Sequence, residues 1–310
     1  MTISATKVRY IKLGRGGRWD KVALERGEVH FGHGGIPHEL ALTGNRDKIK
    51  QHQIRHGRDP RAAAEDAREI VDFYKLGPDC LWITFAHDHL WWTFADQEVT
   101  WLGTGDGTHG ERVRKAIGGW KKLDINGSAL RFDTLSTKLT KVASYRRTLC
   151  AVEAEDYLLR RINGVVEPLV LKSNEARDAL LEVVTEAIKA LHWPDFETLL
   201  DLMFARSGWH RASVIGGTQK LVDLVLEQPT TGERSAIQVK SAAGQKQFEA
   251  FINAADETGS YDRLFFACHS PKGTLTAPVD RRDVHLWADR ELARTALRLG
   301  LADWIIEKIS

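Results

Sequence analysis

Two neighbouring stretches, Leu221-Val222-Asp223-Leu224-Val225-Leu226 and Ala236-Ile237-Gln238-Val239-Lys240, decide how this chain is read. Both read as strands. Alternate side chains of a strand share a face, so Ile237 and Val239 point into a core while Gln238 and Lys240 point the other way. Asp223 is the one charged residue of an otherwise apolar run. A carboxylate there costs stability unless it is paired or binds a metal. An adjacent strand carrying Gln-x-Lys would supply an amide oxygen and an ammonium group beside it.

Working outward, the second half alternates helices and strands. Residues 174–191 have an amphipathic helical pattern, with Leu180, Leu181, Val184, Ala187, Ile188 and Leu191 on one face. Pro194 and Asp195 open a further helix that carries Glu197 and stops at Gly208. Strands are expected at 212–215, 221–226, 236–240, 263–267 and 284–287, and helices at 245–255, 290–299 and 301–309. Short strands interleaved with helices predict an α/β domain with a central mixed sheet.

The ordered set resembles the PD-(D/E)xK nuclease superfamily, and within it the Mrr-like restriction endonucleases. The likeness spans residues 193–308. It rests on Asp195-Phe196-Glu197, Gly208-Trp209, Gly216-Gly217, Asp223 and the Gln238-x-Lys240 form of the motif. The resemblance implies a Mg²⁺-dependent phosphodiesterase. Asp223 would be the main metal ligand, with Gln238 beside it. Lys240 would orient or activate the attacking water and steady the charge on the phosphorane. Glu197 would join the metal shell. Mg²⁺ takes few carboxylates and keeps waters, which suits a site with one firm carboxylate. Taken singly, each residue has a plainer reading: a loop acid for Asp223, a solvated strand end for Lys240, a first-turn helix acid for Glu197.

The first half reads as a compact β-rich, α+β module. Strands are expected at 8–13, 28–32, 81–86, 90–95 and 148–152, with a hairpin turn at His87-Asp88-His89 and helices at 19–26 and 62–74. Most of its aromatic rings belong to a core, but Trp91 and Trp92 are consecutive in a strand and face opposite sides. Together with Tyr10 to Trp19 and Tyr145 to Thr148, the module resembles PUA-like domains of the EVE and YTH kind. That likeness implies a reader of modified bases with an aromatic cage, assigned here to Trp19, Trp82 and Trp91. His30, His33, His38 and Asp88 would meet the base edge.

The formal charge of +2 says little, but its distribution is uneven. Residues 45–61 carry Arg46, Lys48, Lys50, Arg55, Arg58 and Arg61 against Asp47 and Asp59. Residues 111–147 carry ten bases against Glu111, Asp124 and Asp133. Two such runs in one half point to a polyanion. The expected organisation is a DNA-recognition domain at 1–165, a helical connector at 166–191 and a nuclease domain at 192–310. Three widely spaced cysteines, no signal peptide and no apolar run long enough for a bilayer fit the cytoplasm. The chain is therefore expected to be a modification-dependent DNA endonuclease acting on double-stranded DNA. A sequence-specific nuclease for unmodified DNA and a non-catalytic binder are the alternatives. A homodimer is expected through apolar residues of the last helices, Leu297, Leu299, Leu301, Trp304 and Ile305.

Overall fold

The structure is a computed structural model. It describes residues 2–104, 107–212 and 222–310. The chain forms two compact units, Met1–Glu167 and Pro168–Ser310.

The first unit runs β1 (Lys7–Ile11), α1 (Asp20–Arg26), β2 (Glu28–Phe31), α2 (His38–Leu42), α3 (Arg46–Arg55), α4 (Pro60–Lys75), β3 (Cys80–Ala86), β4 (His89–Ala95), β5 (Thr100–Trp101), β6 (Arg112–Lys121), α5 (Thr137–Thr140), β7 (Leu149–Ala151) and α6 (Glu155–Ile162). These strands form a mixed sheet in the order β2-β6-β4-β3-β1-β7, with β5 on β6. The β1–β3 pair is parallel. The β3–β4 hairpin turns at His87 and Asp88, both at positive φ (50° and 59°), as a two-residue primed turn requires.

Helix α4 forms because Asp59 caps the amides of Arg61 and Ala62, and Pro60 opens the first turn. It buries Ala63, Ala67, Ile70 and Phe73. Alternation along β3 then fills two cores. Trp82 packs with Ile70 and Phe73 on one face. Leu81 and Ile83 pack with Leu158 and Ile162 on the other. Both faces are covered, so the consecutive Trp91 and Trp92 are half-buried and buried respectively.

Strand β6 lies where the sequence shows only a basic run, and it corrects the reading of that run. Arg112 and Arg114 are fully buried. Arg112 donates to the Tyr74 hydroxyl (2.8 Å) and to the carbonyls of Gly32, His33 and Ile36. Arg114 donates to the carbonyls of Phe73, Ala95 and Asp96. Their guanidinium groups lie over Trp101 (4.6 Å) and Trp82 (5.2 Å). Burial pulls the Arg114 guanidinium down to about 10, so it remains charged at neutral pH. These two bases hold the fold and are closed to a polyanion.

The second unit contains α7 (Pro168–Ala190), α8 (Trp193–Arg206), β8 (His210–Arg211), β9 (Leu224–Glu227), β10 (Arg234–Lys240), α9 (Gln245–Thr258), β11 (Arg263–Cys268), β12 (Val284–Ala288), α10 (Arg290–Arg298) and α11 (Ala302–Ile309). The sheet order is β12-β11-β10-β9-β8. Strands β10, β11 and β12 are parallel; β9 is antiparallel to β10. Helix α9 links two adjacent parallel strands, the crossover such a pair needs. Ile237 and Val239 face a core built by α7, α8, α10 and α11. Ala236 faces another, built by α9.

The helix expected at 174–191 begins at Pro168 and packs its second half into this unit, through Leu181, Val184 and Ile188. The residues expected to form a dimer face lie in the same core. Leu301 and Ile305 are fully buried, and Leu297, Leu299 and Trp304 pack partly against them. Packing within the unit itself therefore accounts for the apolar character of these residues. Expected strand residues 213–215, the pair Gly216-Gly217 and Leu221 lie outside the described residues. No helix among the described residues is long and apolar enough to cross a membrane.

Arg114→Ala should lower the stability of the full chain by about 3 kcal/mol or more in urea denaturation, because three buried carbonyls lose their donor. Lys138→Ala, from the same basic run but exposed, should change it by less than about 0.5 kcal/mol.

Candidate active site

Asp223 stands one residue before β9 and continues its ladder: its amide donates to the Ile237 carbonyl (2.9 Å). That register lays the carboxylate along the last residues of β10. One oxygen, Oδ2, accepts from the Val239 amide (2.7 Å) and from the Gln238 side-chain amide, and stands 3.7 Å from Lys240 Nζ. The other, Oδ1, makes no hydrogen bond among the described residues. The side chains of Asp223 and Lys240 are 35% and 36% exposed, so a ligand can reach both.

The structure thus brings Asp223, Gln238 and Lys240 together, but gives Gln238 a different part. It is buried, because α9 covers the sheet face it points to. It presents its amide nitrogen, not its oxygen, to Asp223. In this arrangement Gln238 donates to the carboxylate that the sequence expects it to flank as a second ligand. The Val239 main-chain donor has no side-chain signature and could not be read from sequence.

Glu197 is exposed on the first turns of α8 and makes no ion pair or hydrogen bond among the described residues. Its neighbour Phe196 is buried edge-on against His269 (4.7 Å), the residue that follows β11. In the parallel pairing, Lys240 lies beside Cys268. The start of α8 therefore sits at the same sheet edge as the pair, without touching it. Burial, then the nearby Lys189 charge, pushes the His269 imidazole below the ordinary histidine range. Ligand sites in such sheets open at the carboxyl ends of the strands.

Residues 188–296 match the family described as restriction endonuclease. The match lies within the second unit and contains Glu197, Asp223, Gln238 and Lys240. It supports an Mrr-like nuclease domain, a hydrolase that acts on DNA. Comparison with curated proteins and with solved structures returns no match.

The residues assigned to an aromatic cage do not form one. Trp82 lies in the core, 0% exposed, edge-on to Phe73 at 5.7 Å. Trp19 is 4% exposed and donates its indole N–H to the Gly107 carbonyl (2.9 Å). Trp91 is half-buried and donates to the Ala86 carbonyl (3.0 Å). Of the expected base-edge groups, His30 is buried against Glu28 (2.9 Å), and His38 bonds Tyr74 (2.9 Å). Asp88 is exposed in the β3–β4 hairpin turn.

Asp223→Ala should destabilise the chain by about 1–3 kcal/mol in urea, since it strands the buried Gln238 amide and the Val239 N–H. Asp223→Asn keeps an acceptor there and should lose less.

Proposed function

We propose that the chain is a Mg²⁺-dependent endodeoxyribonuclease whose first unit selects modified DNA and whose second unit cuts nearby phosphodiesters. The observation that carries the nuclease reading is the Asp223–Lys240 pair at the carboxyl end of β10, inside the matched region. A site for Mg²⁺ fits the donor set: a solvent-accessible carboxylate with one oxygen free of hydrogen bonds. One carboxylate, waters and a substrate phosphate are the usual shell of this ion. No cluster of three or more His, Cys, Asp or Glu able to hold a metal occurs among the described residues, and waters with a bound phosphate would complete the shell. When bound, the ion supplies Lewis acidity to the phosphate and a more acidic water.

The chain's own residues do the rest. Asp223 holds the ion, and Gln238 with the Val239 amide keeps its carboxylate from rotating. Lys240 places a positive charge where the attacked phosphate gains negative charge. One such site breaks one strand. A double-strand break takes two, supplied by two copies or by sequential nicking.

The reader role is supported by a first unit with its own cores and by Lys48, Lys50 and Arg55 of α3, which make no ion pair among the described residues. If that unit instead selected an unmodified sequence, purified protein would cut unmodified plasmid.

The deciding experiment digests DNAs containing 5-methylcytosine, 5-hydroxymethylcytosine, N6-methyladenine or no modification, with Mg²⁺ and with EDTA. Cleavage of one modified DNA with Mg²⁺, abolished by EDTA, is the expected outcome. Asp223→Asn and Lys240→Ala should each slow it by about 10²-fold or more. Undiminished cleavage by either variant removes the assignment of the site. Binding of the parent in EDTA should weaken steeply with added salt, because phosphate contacts release counterions.

A further inference from the structure

The buried tryptophans leave open where the first unit would hold a base. A groove of about 360 Å³ in this unit, lined by His33, His52, Gln53, His56, Arg58 and Asp66 among others, has the chemistry for one. Its only opposed charges neutralise each other, since Arg58 Nε lies 2.8 Å from Asp66 Oδ2. What remains is aromatic and polar. The His52 and His56 rings lie 4.2 Å apart. The His56 Nδ1–H donates to the His52 carbonyl (2.8 Å). The Gln53 Oε1 is buried and has no hydrogen-bond partner among the described residues, a costly state for a carbonyl. His33, whose Nε2 lies 3.4 Å from the buried Glu69 carboxylate, closes one side of the groove.

A second groove, of about 610 Å³, adjoins through the same acid. Asp66 Oδ1 lies 2.6 Å from Arg147, which lines this second groove with Arg61 and Arg146. The side chains of Arg61 and Arg146 are exposed and make no ion pair among the described residues. Facing acids are Asp59, whose carboxylate caps α4, and Glu65, which pairs with Arg68 (3.1 Å). The ends of the two basic runs, far apart in sequence, therefore meet at Asp66.

The geometry points to a split nucleotide site. The imidazole groove takes a nucleobase unstacked from DNA, with an exocyclic amine of the base donating to Gln53 Oε1 once the half-buried side chain turns that oxygen into the groove, and the arginine groove takes its flanking phosphates. Unstacked bases are held by ring stacking and by hydrogen bonds to their polar edge. Free guanidinium groups hold phosphates. This rests on the reading of the first unit as a DNA reader.

The test measures binding of the full chain, in EDTA, to duplexes with 5-methylcytosine, with N6-methyladenine and without modification. Gln53→Leu removes the unmet carbonyl, so it should keep or raise the melting temperature while weakening the preferred duplex at least tenfold and erasing the preference. His52→Ala should do likewise and serves if Gln53→Leu does not fold. Arg61→Ala with Arg146→Ala should weaken all duplexes alike and reduce the salt slope by about 2. A Gln53→Leu protein that binds and discriminates like its parent overturns the base groove and leaves the DNA reading standing. A folded parent that binds no duplex overturns both. An RNA of the same sequence that binds more tightly than every duplex overturns the DNA form of the proposal.

Discussion

Leu224 pairs with Ile237, and Glu227 with Arg234, across the antiparallel β9–β10 ladder. Much of the second unit depends on that register. It carries the Asp223 carboxylate to the Val239 amide and the Gln238 side chain, and so places it beside Lys240. A slip of β9 by one residue would turn Asp223 to the opposite face and send Leu224 and Leu226 out of their core. The site is therefore held by the same pairing that fills the hydrophobic interior. Its charge-bearing groups sit at the strand end, where the covering helices stop and solvent enters.

The first unit uses charge differently. Arg112 and Arg114 project into cores that contain Phe31, Phe73 and Trp82, and satisfy backbone carbonyls that the strands leave unpaired. A buried guanidinium is tolerable because its donors meet fixed acceptors and its faces lie on aromatic rings. Basic residues near one another in sequence are thus divided by strand alternation between structural posts and exposed cations. Charge counted along the chain cannot make that division.

The aromatic content misleads for a related reason. A sheet covered on both faces has room for Trp82 on one side and Trp92 on the other, and the indole N–H groups of Trp19, Trp91 and Trp92 are met by backbone carbonyls. Large rings so satisfied belong to the interior. Among the described residues, the buried groups left unmet include the Trp82 indole N–H and the Gln53 carbonyl, and the exposed Arg61 and Arg146 make no ion pair.

Local pattern was enough to find most of the elements. The apolar runs, the Pro194-Asp195 helix start and the glycine stops are short-range signals, and β10, β11 and β12 lie where alternation puts them. Asp223, Gln238 and Lys240 were legible as a set because their spacing is set by strand geometry. Strand β6 was not, since its glycines and buried arginines hide its alternation. Whether Gln238 offers oxygen or nitrogen, whether a tryptophan meets solvent, and which arginines reach Asp66 depend on partners many residues away. Sequence by itself determined the elements and the chemical types available to the site. Only the tertiary structure decided which of those groups remain unpaired, because hydrogen-bond satisfaction is a property of neighbours in space.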